Sequence, residues 1–209
     1  MLLGFDAREM WLDYHRTWSQ ERRNTYLLRE DITKPLSTDP IVWPSILSVE
    51  DRQQIPSYRE PLGLVTDLEK LHEYLKRRDD RLRQPYWIIA LTVALSRVRQ
   101  QDRRFWQAFS INVNPSSPAK RWMLLGYDVS DMSFLSSLTN CGYAQPLEHE
   151  HLRRQFGQLL NKHHLLTTLD SAWEFKVLSD SRVTEHAPFF VYGLYLTEVV
   201  GVAARADNS

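Results

Sequence analysis

Seven histidines, a single cysteine and two aspartates that close an apolar stretch are the side chains here with chemistry beyond packing. In Glu148-His149-Glu150-His151 the two imidazoles lie two residues apart. On a helix that spacing turns them to nearly opposite faces, where they cannot grip one ion. His163 and His164 are adjacent and fail likewise. No HExxH, CxxC or paired Cys/His spacing occurs, so no metal and no cofactor is expected. There is no GxSxG elbow, and Cys141 in Asn140-Cys141-Gly142-Tyr143 reads as a small buried hydrophobe. Seven glycines supply neither a GxGxxG turn nor a P-loop. An enzyme is therefore not expected. The remaining catalytic alternative is a site assembled from distant segments, using Asp128, Asp131, His151 and His186.

Asp128 and Asp131 stand in Gly126-Tyr127-Asp128-Val129-Ser130-Asp131, at the end of an otherwise apolar run. Carboxylates there either accept from free backbone N–H groups, as helix caps and structural hydrogen bonds do, or face a basic partner. A cation is the third option. Two basic stretches, residues 76–83 and 97–104, are diluted by Asp79, Asp80 and Asp102 and read as solvated element ends. Phe105 and Trp106 follow the second stretch, which keeps a nucleic-acid groove as an alternative there.

The elements that must position these residues follow from periodicity. Asp6 and Glu9 match a capping box, and Trp11, Tyr14, Trp18, Thr25 and Leu28 share one helical face, so residues 6–29 are expected to be an amphipathic helix. Five of the ten prolines fall in residues 31–61, which reads as an irregular surface segment with a short helical turn after Ser48. Leu64, Leu68, Leu71 and Leu75 predict a second helix. Residues 86–95 are apolar on both parities and rich in β-branched and aromatic side chains, which favours a central strand. Residues 109–113 and 122–129 flank a Pro- and Ser-rich turn and read as an antiparallel hairpin. Helical stretches are expected at 134–138, after Pro146 and at 169–178. Residues 189–196 form the strongest strand signal, with Pro188 at its start. The layout is α+β: a single domain, residues 1–209, with a largely antiparallel central sheet and helices packed against it.

Composition bounds the class. The chain has 209 residues, 43% hydrophobic and 25% charged, and a formal net charge of zero from 26 basic and 26 acidic residues. That balance opposes nucleic acid as the main ligand, because phosphate binding needs an excess of positive charge. One cysteine forms no internal disulfide, which suits a reducing compartment. With no signal-peptide pattern and no apolar run of membrane length, the expected location is cytoplasmic.

Two passages carry a family resemblance. The first is Arg121-Trp122-Met123-Leu124-Leu125-Gly126-Tyr127-Asp128-Val129-Ser130-Asp131, continuing through Leu135-Ser136-Ser137-Leu138-Thr139-Asn140-Cys141-Gly142-Tyr143. The second is Arg182-Val183-Thr184-Glu185-His186-Ala187-Pro188-Phe189-Phe190-Val191-Tyr192-Gly193-Leu194-Tyr195. Together they resemble bacterial immunity proteins, the antidotes of secreted polymorphic toxins. The resemblance implies inhibition by tight, stoichiometric binding to a cognate toxin domain. It transfers no site residue to an individual position. If the toxin has a basic surface, Asp128 and Asp131 are the expected contacts.

Overall fold

The computed structural model describes residues 1–9, 45–60, 62–78, 86–95, 103, 106–107, 118–132, 134, 136–138, 151, 154–161, 163, 165–184 and 186–200. Six strands form one antiparallel sheet in the order β2-β3-β1-β4-β6-β5. They are β1 (Leu2–Glu9), β2 (Tyr58–Arg59), β3 (Leu64–Val65), β4 (Tyr86–Val93), β5 (Met123–Ser130) and β6 (Phe190–Val200). The helices with described bounds are α1 (Val49–Gln53), α2 (Leu68–Arg78) and α3 (Leu169–Arg182), with a 3-10 turn at Gly157–Leu159; residues 103, 106–107, 151 and 154–156 are helical too, the last in the stretch expected after Pro146. The α+β expectation holds.

β4 explains why its sequence shows no periodicity. Ile88 and Ala90 join Phe5, Ala7, Leu71 and Leu75 in one core cluster. Ile89, Leu91 and Val93 join Leu194, Ala172 and Phe175 in a second. Alternate side chains of a strand leave opposite faces, so both faces of β4 are covered and both must be apolar. The helices divide accordingly: α2 contributes to the first cluster and α3 to the second.

The first strand corrects one expectation. Residues 6–9 do not open a helix but complete β1, with Asp6 opposite Ile89 and Glu9 opposite Tyr86. Leu2, Leu3, Phe5 and Ala7 are all buried. Burying that apolar run between β3 and β4 outweighs a local capping pattern, as tertiary packing overrides propensity. Trp11, Tyr14, Trp18, Thr25 and Leu28, which carried the rest of the expected helix, lie outside the described residues.

The proline-rich segment contains more order than its composition suggests. Ser48 caps α1, its hydroxyl accepting from the Asp51 N–H at 3.1 Å while Asp51 Oδ2 accepts from the Ser48 N–H at 3.0 Å. That reciprocal pair satisfies two free donors of the first turn. The expected helix from Leu64 begins at Leu68, and Leu64 itself is in β3.

β5 is a strand as expected, and its partner within the described residues is β6; residues 109–113, the expected other arm of a hairpin, lie outside them. Residues 134 and 136–138 are a turn rather than a helix. β5 is bulged between Leu124 and Gly126. Gly126 has φ +146°, and a Cβ there would stand 2.5 Å from Leu165 Cβ. Glycine therefore permits both the bulge and the close approach of Leu165 and Leu166. Their approach closes the outer edge of β5. Tyr127 and Leu166 exchange backbone hydrogen bonds at 2.9 Å each way, Asn161 Nδ2 donates to Leu125 O at 2.6 Å, and Ser137 N–H donates to Val129 O at 2.8 Å. No helix among the described residues is long and apolar enough to cross a membrane.

Candidate functional site at the β5–β6 corner

The end of β5 and the turn after it gather five buried polar side chains, Asp128, Ser130, Asp131, Ser136 and Ser137. Asp128 sits opposite Tyr192 in the β5–β6 ladder and is fully buried. Its carboxylate accepts from the Val129 N–H at 2.7 Å, the Ser136 hydroxyl at 2.6 Å and the Ser130 hydroxyl at 3.3 Å. A buried charge is tolerable only with such donors around it. Of the three roles open to Asp128 from the sequence, these bonds fill the structural one. With no exposed surface, this carboxylate holds the turn and does not reach a partner.

Asp131 is 7% exposed. Its Oδ2 lies 3.2 Å from His186 Nδ1, and its backbone carbonyl accepts from the Tyr192 hydroxyl at 3.1 Å and the Phe134 N–H at 3.3 Å. Burial, reinforced by the nearby charges of Asp131 and Asp128, pushes the Tyr192 phenol well above its ordinary range. Tyr192 therefore remains a neutral donor at any physiological pH. Phe134 adopts φ 62°, a left-handed conformation that an aromatic residue rarely takes, and its ring meets Tyr192 edge-on at 5.3 Å. Across the turn, the hydroxyls of Ser137 and Ser179 contact each other, joining the turn to α3.

The four residues of the dispersed-site alternative are only partly assembled. Asp131 and His186 are within hydrogen-bond reach, Asp128 faces inward onto serines, and His151 is exposed. Among the described residues no group of three or more His, Cys, Asp or Glu side chains is placed to hold a metal ion. Trp106, the aromatic residue beside the second basic stretch, is fully buried with its ring 5.0 Å from Phe190. Its face is not available for stacking on a base. The chain matches no protein-family model, no curated protein and no solved structure.

Sequence reasoning missed Tyr192, Ser136, Ser137 and Ser179 as parts of this corner. The one signal was the density of serines at 130, 136 and 137 beside an aspartate in an apolar strand. Hydroxyls so placed tend to bond locally and compete with helix formation.

A second polar cluster lies at the other side of the sheet. Asp6 accepts from the Ala7 N–H at 3.0 Å, the Ser45 hydroxyl at 2.8 Å and Arg8 Nε at 2.9 Å, with Arg52 Nη2 at 3.5 Å. Asp51 accepts from the Tyr74 hydroxyl at 2.9 Å and pairs with Arg78. Burial raises the Asp51 carboxyl, but hydrogen bonds from Arg78, Ser48 and Tyr74 outweigh it and hold the group at about 2. Residues 45–51 are thereby stapled to β1 and α2.

Proposed function

We propose that this protein neutralises a cognate toxin domain by stoichiometric protein–protein binding. One observation supports the reading above others. The described residues of the two passages that resemble immunity proteins, separated in sequence, form one structural unit in which β5 pairs with β6 along Met123 to Ser130 and Tyr192 bonds to Asp131. A unit with its turn held by buried hydrogen bonds suits an inhibitor, because ordering its surface before binding lowers the entropy lost on association. The test is to express the adjacent gene alone and together with this one. Growth arrest by the neighbour, relieved by co-expression and accompanied by an equimolar complex, is the expected result. A harmless neighbour, or a pair that does not associate, sinks the proposal.

The Asp131–His186 pair favours a second reading, an enzyme that inactivates its target by turnover. A carboxylate on one imidazole nitrogen orients the ring and fixes which nitrogen is left to take a proton, as a general base requires. Titrating the target distinguishes the two. Inhibition needs one molecule per target, whereas turnover needs far fewer and is lost in His186→Ala.

A further inference from the structure

The start of β5 differs from the rest of that strand. From Leu125 onward the outer edge is occupied by Asn161, Leu166 and Ser137. Ahead of it, Lys120 and Arg121 are exposed, and among the described residues neither takes a hydrogen bond or ion pair. Met123 is 53% exposed and Leu124 is 39% exposed. These two point to opposite faces of the sheet, since successive side chains of a strand alternate. Met123 stands opposite half-buried Leu196, and Leu124 opposite half-buried Tyr195, so apolar surface continues onto β6 on both faces. Trp122 packs edge-on against Phe5 at 5.5 Å, fixing the run to the core. The result is an apolar strand end, rigidly anchored, with two uncompensated positive charges beside it.

The geometry points to residues 120–124 as the surface that takes the partner, and to a partner presenting an apolar cleft flanked by carboxylates. This inference rests on the toxin-neutralising reading and specifies its interface. An apolar centre with charges at the rim is how protein interfaces divide tight contact from fast encounter. The sign is opposite to that expected from Asp128 and Asp131, whose carboxylates face inward. Two cations are few for nucleic acid, where affinity grows with each phosphate neutralised, and few for an anionic membrane, where polybasic clusters are needed.

The experiment uses the full chain and a catalytically inactivated form of the adjacent gene's product, with binding kinetics measured at several salt concentrations. Lys120→Glu with Arg121→Glu lowers the association rate about tenfold and flattens its salt dependence. Met123→Ser with Leu124→Ser speeds dissociation by about tenfold or more. Val177→Ser, at an apolar residue 65% exposed on α3, leaves both rates unchanged. Melting curves of all three variants match the parent. If both double variants bind within about twofold of the parent, this surface is wrong and the toxin-neutralising reading stands. If the parent itself fails to bind, both fall. Pelleting with phosphatidylserine vesicles that is lost in the double variants, while toxin binding persists, identifies a membrane site instead and overturns the proposal.

Discussion

The Tyr192 hydroxyl donates to the backbone carbonyl of Asp131 at 3.1 Å, across 61 positions of sequence. Through that bond the second residue of β6's buried aromatic pair, after Phe190, fixes where the turn leaves β5. Tyr192→Phe keeps the ring against Phe134 and Trp106 but leaves the carbonyl without this donor. The expected loss is about 1–2 kcal/mol of stability, read as a lower urea midpoint with an unchanged slope. An unchanged midpoint shows that the bond contributes nothing.

Asp128 is the more costly site. Asp128→Ala strands the Val129 N–H and the Ser136 hydroxyl in a buried setting, at roughly 2–4 kcal/mol. Ser136→Ala removes one donor to that carboxylate and the acceptor of the Leu138 N–H, and costs about 1–2 kcal/mol. Because both act on one carboxylate, the double variant falls short of the sum. Strict additivity in chemical denaturation contradicts the shared network.

Gly126→Ala and Gly157→Ala make an internal comparison. The first adds a Cβ 2.5 Å from Leu165 Cβ at a backbone φ of +146°, whereas the second meets nothing within 4 Å. Gly126→Ala lowers stability by about 2 kcal/mol or more, while Gly157→Ala changes it by less than about 0.5 kcal/mol. Equal melting temperatures for the two variants rule out the close approach of Leu165.

Asp51 sets an acid response. Its carboxyl is held at about 2 when folded, against 3.8 for the free group. A depressed folded value means stability is fully present above the unfolded value and is lost as pH falls through the folded one. The contribution, roughly 1–2 kcal/mol after solvent screening, therefore disappears between about pH 5 and pH 2. In Asp51→Asn the decline over that window is shallower than in the parent, measured by urea midpoints. Parallel declines assign the acid sensitivity elsewhere.

Much of the sheet was legible because its strands satisfy local and global demands together. β4 and β6 carry β-branched and aromatic residues where the fold needs buried strands, and α2 shows its stripe at Leu68, Leu71 and Leu75. β1 was misread because Asp6 and Glu9 imitate a helix start, while the strand's true signal, Leu2, Leu3, Phe5 and Ala7, is short. Phe134 and Leu138 are four apart like a helical pair, yet Ser136 and Ser137 direct their polar groups to Asp128, Ser179 and Val129. Asp128 and Asp131 were visible as unusual residues. Their partners Ser136, His186 and Tyr192 come from 8, 55 and 61 residues away, beyond any local pattern.

β4 pairs with β1 on one side and with β6 on the other, and the Thr92 hydroxyl reaches the Gly193 carbonyl 101 residues downstream. During synthesis the middle of the sheet must therefore wait, half-finished and sticky, until β6 has left the ribosome. Long-range closure of this kind slows folding and prolongs exposure to aggregation. A chain truncated before β6 would emerge as a client for chaperones rather than as a smaller folded protein.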